Sequence, residues 1–168
     1  SEDVLGLISA TGGDLAGALR VGGPRTEQGG YRPVSTPEDM ERIIEELPRR
    51  PFLVGEDGVT MSLAGAQDKL PVALIDGEIA IPVNGAPSTH ILKPDNPRLP
   101  GSVQNEALCM VLAARCRLPT ATVTTGVAGN RSYLLVDRYD REGSPPAATR
   151  LHQEDFCQIL GKLPERKY

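Results

Sequence analysis

The chain has 168 residues, 39% of them hydrophobic, which is enough for one folded domain with its own core. Its net charge of −4 argues against sequence-independent nucleic-acid binding, which needs a basic face. No apolar run approaches the ~18 residues that a membrane span needs, so we predict no membrane association. Tryptophan is absent and phenylalanine occurs twice, so the core must be aliphatic.

The first third of the chain predicts little regular structure apart from one helix. Residues 3–9 predict a short helix, 15–21 fit either a helix or a strand, and the Gly- and Pro-rich segment 22–34 predicts a surface loop. Thr36-Pro37-Glu38-Asp39 is typical of a helix start, with a hydroxyl cap, an early proline and acids in the first turn. The apolar residues that follow at helical spacing are Met40, Ile43, Ile44 and Leu47, and Pro48 ends the element.

The middle of the chain predicts three consecutive strands. Residues 71–75 and 78–83 form a hairpin about the turn Asp76-Gly77, and residues 89–93 form the third strand. This order predicts an antiparallel sheet.

One helix and two further strands follow. Ser102 is a plausible helix cap, and Pro119 ends the helix. Its predicted buried stripe consists of Leu108, Val111, Leu112 and Cys116. Cys109 and Cys116 are predicted to be small core residues, because the three cysteines have no metal-ligand spacing. Residues 120–127 and 133–136 predict strands.

The last thirty residues predict a polar connection and a final helix. Residues 138–148 resemble a hinge or linker, and 152–160 predict a helix headed by Gln153-Glu154-Asp155. The order β-β-β-α-β-β predicts an α+β fold in which an antiparallel sheet carries one packed helix, with short flanking helices. We divide the chain into an amino-terminal region (1–50), a small lobe (51–141), and a hinge with the start of a helical lobe (142–168).

The segment Met61–Lys69 is the most informative motif. Its residues 64–66 carry no bulky side chain, so the backbone there can approach a ligand, and successive N–H groups form an anion-binding concavity. With one glycine, the segment matches neither of the common phosphate-loop patterns, and a simple turn entering a hairpin is an equal alternative.

Lys93 ends the third strand. A buried ammonium must leave the apolar layer or pair with an anion, so Lys93 either reaches solvent or holds a phosphate. Glu106, in the following helix, is placed to orient it, as the lysine and glutamate of protein kinases are arranged.

Asp137, Arg138 and Tyr139 close the last strand, where a two-lobed kinase holds adenine against backbone groups. The alternating charges from Asp137 to Arg141 fit equally well a strand end whose charged side chains are exposed to solvent. His90, in the third strand, is expected to be a hydrogen-bonded structural residue. We find no metal-ligand cluster and predict no metal site in this chain.

Together, Ser62–Lys69, Thr89–Lys93, Asn105-Glu106, Val136–Arg141 and Leu151–Gln158 closely resemble the HipA family of bacterial serine/threonine kinases from toxin–antitoxin systems. The resemblance implies a protein-kinase-like small lobe that binds ATP with Mg²⁺. The ATP-binding residues that it implies are Ala64, Gly65, Ala66, Gln67, Asp68, Lys69, Lys93, Asp137, Arg138 and Tyr139. It implies autophosphorylation at Ser62, which would place roughly −2 charge beside the loop and silence the enzyme.

The resemblance also implies partners. These are a helix-turn-helix antitoxin that carries the DNA contact, and a protein substrate of the aminoacyl-tRNA synthetase class, in the cytoplasm. The family's catalytic and metal-binding aspartates lie in a helical lobe with no counterpart here, so we expect this chain alone to be inactive and the Mg²⁺ ligands to lie in that lobe. The alternative is a non-catalytic module that binds an antitoxin or a partner kinase subunit.

Overall fold

The computed structural model describes residues 6, 12–21, 29–61, 63 and 67–163. The strands are β1 (Gly30–Pro33), β2 (Leu70–Ile75), β3 (Glu78–Val83), β4 (His90–Pro94), β5 (Val123–Ala128), β6 (Arg131–Asp137), β7 (Arg141–Glu142) and β8 (Thr149–Arg150). The helices are α1 (Pro37–Glu46), α2 (Ser102–Arg115) and α3 (Phe156–Ile159), and Pro51–Leu53 forms a 3₁₀ turn.

Six strands form one antiparallel sheet in the order β1-β3-β2-β4-β6-β5. β7 and β8 form a separate hairpin beyond the exit of β6. The predicted α+β class with an antiparallel sheet is therefore confirmed. The hairpin turn is also as predicted, because Asp76 (φ 52°) and Gly77 (φ 88°) both have the positive φ of a tight two-residue turn.

Helix α1 forms where the sequence predicts it. The Thr36 hydroxyl accepts a hydrogen bond from the Asp39 N–H at 3.0 Å, and Pro37 opens the helix. The predicted apolar positions Met40, Ile43, Ile44 and Leu47 are all buried. They form the core with aliphatic residues of the sheet and with Met61, so the predicted aliphatic core is confirmed.

Three predictions about the elements are wrong. The segment predicted as a loop contains β1, which pairs with β3 and extends the sheet by one strand. The final helix is shorter than predicted, because it begins only after Asp155, which caps it together with Gln158. Residues 15–21, predicted as either a helix or a strand, belong to neither.

The predicted helix at 3–9 lies outside the described residues except Gly6 and stays a prediction.

The predicted buried stripe of α2 is also wrong. Leu108, Val111 and Leu112 are half or more exposed, Cys109 and Cys116 are exposed and free, and Val103 is the buried residue of the helix. Helical spacing reveals an apolar stripe, but it does not reveal whether the described part of the chain covers that stripe.

None of the described helices is long and apolar enough to cross a membrane.

Candidate functional site

The alternation of side chains along β4 places a lysine on the face of the sheet opposite the core. Leu92 belongs to the core beneath α1, whereas its neighbours Ile91 and Lys93 line a cavity on the other face. Val136, the cross-strand partner of Ile91 on β6, lines the same cavity. The strand period therefore sets Lys93 at the edge of an apolar surface.

Lys93 is held by a carboxylate from α2. Its Nζ lies 2.6 Å from Glu106 Oε1, and the two side chains are 24% and 30% exposed. The pairing holds the ammonium beside the cavity while leaving the second Glu106 oxygen able to accept another hydrogen bond.

The start of α2, which positions Glu106, is fixed by Asp95 rather than by Ser102. Ser102 is the first helical residue and Gly101 is the cap, so the predicted capping role of Ser102 is wrong. The Asp95 carboxylate accepts hydrogen bonds from the N–H groups of Gly101 (3.1 Å) and Val103 (3.2 Å) and from the Ser102 hydroxyl (2.6 Å). The bond from Ser102, helped by those from the backbone, lowers the pKa of Asp95 despite the opposing effect of burial.

The cavity around Lys93, here called the Lys93 cavity, has a volume of about 460 Å³. This volume falls in the usual range for small-molecule sites, roughly 300–1,000 Å³. Its wall is mostly apolar, and polar groups gather at two places, the Lys93–Glu106 pair and the exit of β6. The residues of the wall include Leu63, Ile91, Met110, Ala121 and Val136. Such a site suits a ligand with a flat apolar part and an anionic part.

The predicted hinge residues Asp137, Arg138 and Tyr139 border the same cavity. The N–H of Asp137 donates to Thr122 and the N–H of Arg138 donates to Thr89, both at 2.9 Å. Tyr139 is 75% exposed, and its hydroxyl donates to the side-chain carbonyl of Gln153. The structure thus brings Lys93, Glu106 and the three hinge residues around one space.

His90 joins the hinge to the sheet through a chain of hydrogen bonds. Its Nε2 lies 2.7 Å from Asp137 Oδ1, and its Nδ1 lies 2.9 Å from Thr89 Oγ1, which also accepts the Leu74 N–H. Burial lowers the pKa of His90, and the nearby Asp137 carboxylate only partly offsets this. The prediction that His90 is hydrogen-bonded is confirmed.

A buried ionic cluster lies directly behind the hinge, and sequence reasoning missed it. We name it the Asp14 cluster; its members are Asp14, Ser88, Arg138, Asp140, Arg141 and Arg150. The alternative that the charges after Asp137 are simply solvated is wrong, because the Arg138, Asp140 and Arg141 side chains are at most 5% exposed. The Arg138 guanidinium is committed to Asp140 (2.7 Å), to Ser88 and to the Leu15 carbonyl.

The loop residues of the predicted phosphate site divide into two groups. Ser62, Ala64, Gly65 and Ala66 lie outside the described residues. Gln67 and Asp68 border a different cavity of about 280 Å³ beside Asp95, and Lys69 immediately precedes β2. The ATP-binding roles of Ala64, Gly65 and Ala66 therefore stay a prediction.

No group of three potential metal ligands occurs among the residues that the structure describes. Asp137 and Glu106 both border the Lys93 cavity, but each is already paired with a neighbouring side chain. We therefore assign no Mg²⁺ ligand to the described part of the chain.

Comparison with known protein families identifies the chain. A family model described as the HipA-like C-terminal domain matches residues 61–168. The chain belongs to this family. The predicted resemblance to HipA is thereby confirmed.

Individual relatives match nearly the whole chain. A Sinorhizobium fredii protein named putative kinase Y4mE is 46% identical over 170 residues, covering 96% of this chain and 40% of that protein. The Shewanella oneidensis serine/threonine-protein kinase toxin HipA is 32% identical over 166 residues, covering 96% of this chain and 38% of that protein.

A solved structure of Shewanella oneidensis MR-1 HipA with HipB and its operator DNA has a TM-score of 0.72 and 29% identity. The match covers 100% of this chain and 40% of that chain. The chain thus spans about two fifths of the length of the HipA relatives that it matches.

Proposed function

We propose that this chain forms the nucleotide-binding part of a HipA-like serine/threonine protein kinase, and that ATP occupies the Lys93 cavity. The observation that carries the proposal is the Lys93–Glu106 ion pair at the mouth of an apolar cavity, 2.6 Å from nitrogen to oxygen. Kinases of the protein-kinase type use a strand lysine, oriented by a helix glutamate, to bind the nucleotide phosphates.

Each part of the cavity has a role in this proposal. Lys93 would bind phosphate oxygens, and Glu106 would hold its ammonium in place. The apolar wall would enclose the adenine, and backbone groups of Asp137, Arg138 and Tyr139 other than the bonded N–H groups of Asp137 and Arg138 would meet its polar edge. The backbone N–H groups of residues 64–66 would contact the phosphates, whereas Gln67 and Asp68 border the neighbouring cavity beside Asp95. Bound ATP supplies the phosphoryl group, and its Mg²⁺ would be held mainly by residues outside the described part.

The activity of the whole protein is also a proposal. We infer a kinase toxin that phosphorylates a protein of the aminoacyl-tRNA synthetase class in the cytoplasm, where ATP is available. Phosphorylation of its own Ser62 would place negative charge beside the loop and expel the nucleotide. The names of the relatives support the kinase, and the solved complex of HipA with HipB and operator DNA supports an antitoxin as partner. We expect this antitoxin to be a helix-turn-helix protein that carries the DNA contact.

The experiment that tests ATP binding compares two lysine variants by calorimetric titration with Mg-ATP. Lys93→Ala should weaken binding at least about tenfold, because a charge-assisted contact to phosphate is lost. Lys162→Ala, which removes an exposed lysine that does not border the cavity, is the matched control and should bind like the wild type. Equal affinity in both variants would refute the assignment of the cavity.

A second candidate function is a non-catalytic module that binds an antitoxin. It is favoured by the exposed apolar side of α2 and by the presence of HipB in the matching structure. The same titration separates the two functions. Absence of ATP binding together with tight binding of a helix-turn-helix antitoxin would favour the module.

A further inference from the structure

One buried carboxylate gathers most of the polar groups behind the hinge. Asp14 is 1% exposed, and its Oδ1 accepts from Arg141 Nη2 (2.8 Å) and from Arg150 Nη2 (2.9 Å) and Nε (3.2 Å). Its Oδ2 accepts from the Ser88 N–H at 3.1 Å and from the Ser88 hydroxyl. Arg138 Nη1 lies 3.5 Å from the same oxygen. Asp14 therefore contacts three arginines and one serine.

The groups that Asp14 contacts come from segments far apart in the chain. Ser88 precedes β4, Arg138 follows β6, and Arg141 and Arg150 lie on β7 and β8. Asp14 itself is held in place by its N–H, which donates to the Thr60 carbonyl at 2.9 Å in the segment before β2. The Asp14 carboxylate thus links the amino-terminal segment to the residue before β4 and to the residues after β6, which include the hinge.

The charges make Asp14 necessary for this arrangement. Three arginine side chains face two carboxylates, those of Asp14 and Asp140, so the cluster already carries one excess positive charge. Buried guanidinium groups repel one another unless carboxylates separate them. Without the Asp14 carboxylate, Arg138 and Arg141 would share Asp140 alone, Arg150 would lose its carboxylate partner, and the segment that carries Arg138 and Arg141 would have to shift.

That segment is also a wall of the Lys93 cavity. Arg138, Tyr139 and Asp140 border the cavity, as does Ala16, two residues after Asp14. The Arg138 guanidinium is fully engaged behind the hinge, so this side chain has no charged group left for a ligand in the cavity. What Arg138 contributes to the cavity is the position of its backbone.

We propose that Asp14 is a positioning residue of the nucleotide site, which sets the hinge backbone for recognition of the adenine through Arg138, Arg141 and Ser88. This inference rests on the proposed ATP site and adds a specificity determinant to it. A site that hydrogen-bonds the edge of a base discriminates against an analogue whose polar groups are exchanged, and guanine is such an analogue of adenine. Asp14 would therefore support the preference for ATP over GTP.

The test measures ATP and GTP affinities of the full chain in the wild type, Asp14→Asn, Lys93→Ala and Asp39→Asn. Asp14→Asn should weaken ATP about tenfold and change GTP by less than about twofold, so that the preference for ATP is lost. Lys93→Ala should weaken both nucleotides by the same factor, since it acts on the phosphates. Asp39→Asn, which alters an exposed ion pair with Arg42, should change neither.

The outcomes separate this inference from the proposed function. If the wild type binds no nucleotide, the proposed function fails and the inference fails with it. If the wild type binds ATP without preferring it over GTP, or if Asp14→Asn weakens both nucleotides equally, the site stands and the positioning role is refuted.

A milder variant covers the case in which Asp14→Asn does not fold. Ser88→Ala removes one hydroxyl that donates to Asp14 and accepts from Arg138 Nη1 at 2.9 Å. It should lower the ratio of ATP to GTP affinity about threefold. An unchanged ratio in folded Ser88→Ala would refute the inference.

Discussion

The imidazole of His90 and the carboxylate of Asp137 face each other across β4 and β6, with 2.7 Å between Nε2 and Oδ1. Since Thr89 Oγ1 accepts the Leu74 N–H, its own hydrogen can be donated to His90 Nδ1. The neutral imidazole then carries its proton on Nε2, and this N–H donates a hydrogen bond to the Asp137 carboxylate. Neutral His90 therefore satisfies every polar group of this chain of hydrogen bonds, which agrees with its lowered pKa.

The first prediction concerns the titration of His90. Burial lowers the pKa of His90 and the Asp137 carboxylate raises it, so Asp137→Asn should lower that pKa further. The measurement is an NMR pH titration of the imidazole resonances. The control is Asp39→Asn, at an exposed ion pair with Arg42, which should leave the titration of His90 unchanged.

The lowered pKa of His90 also determines whether the free energy of unfolding rises or falls with pH. The unfolded chain binds a proton near pH 6.5, and the folded chain binds it only at lower pH. The free energy of unfolding should therefore fall as the pH drops from neutral through about 6, and His90→Gln should reduce this slope. A steeper slope in the variant would contradict the assignment.

The local parts of the fold could be predicted because their causes lie within a few residues. Thr36 and Pro37 start α1, and Asp76-Gly77 turns the chain between β2 and β3. The face of the sheet on which Lys93 lies follows from the alternation of side chains along β4, and its partner Glu106 is only 13 residues away in the chain. Such features depend on short-range sterics and hydrogen bonds, which single-sequence patterns reveal.

The rest of the site could not be predicted because its causes are distant in sequence. Asp14 contacts Arg138 and Arg141, which lie 124 and 127 residues away in the sequence, and no pattern near Asp14 predicts these partners. The charge alternation after Asp137 fits a solvated segment and a buried network equally well. Likewise, the apolar spacing of α2 does not reveal that Leu108 and Leu112 stay exposed among the described residues.

The second prediction separates the charge of Glu106 from its size. Glu106→Gln keeps the side-chain volume but removes the anion that orients Lys93, so Mg-ATP affinity should fall several-fold, less than in Lys93→Ala. Thermal unfolding should change little, because the pair is partly exposed and such pairs contribute about 0–1 kcal/mol. Calorimetry and a melting curve on the same sample check both statements.

The control for this variant is Glu46→Gln on α1. Glu46 is also partly exposed and pairs with an arginine at 3.2 Å, but it does not border the Lys93 cavity. Loss of ATP affinity in Glu46→Gln equal to that in Glu106→Gln would indicate a general charge effect rather than a specific orienting role.

The third prediction concerns the start of α2. Asp95→Ala removes the carboxylate that holds the N–H groups of Gly101 and Val103, and losing such a cap costs about 0.5–2 kcal/mol of stability. Because the first turn of α2 positions Glu106, ATP affinity should fall as well. Urea unfolding measures the first effect and calorimetry the second.

Asp95→Asn is the informative companion of this variant. Its amide oxygen can still accept one N–H, so it should recover part of the stability lost in Asp95→Ala. If the asparagine variant were no more stable than the alanine variant, the carboxylate would have no capping role.

The fourth prediction is that Asp140 makes the protein sensitive to acid. Burial raises the pKa of Asp140, but the hydrogen bonds and charge of Arg138, the Gly17 N–H and the charge of Arg141 outweigh it and leave the pKa lowered. A carboxyl whose pKa is lower in the folded chain stabilises that chain at pH values above the unfolded-state pKa, which is near 3.9. This contribution is lost as the pH falls through the folded-state pKa. Wild-type stability should therefore decline below about pH 4.

Asp140→Asn should be less stable than the wild type at pH 7, by roughly 3–5 kcal/mol, because the removal of one of the two carboxylates leaves the buried Arg138 and Arg141 with Asp14 as their remaining anion. The difference between the two proteins should shrink as the pH falls below 4, since the wild-type carboxyl becomes neutral as well. Urea unfolding of both proteins at a series of pH values measures this convergence, and Asp39→Asn, at an exposed ion pair, should follow the wild type throughout. Parallel pH profiles for wild type and Asp140→Asn would mean that Asp140 does not titrate with folding, and the ionic account of the Asp14 cluster would be wrong.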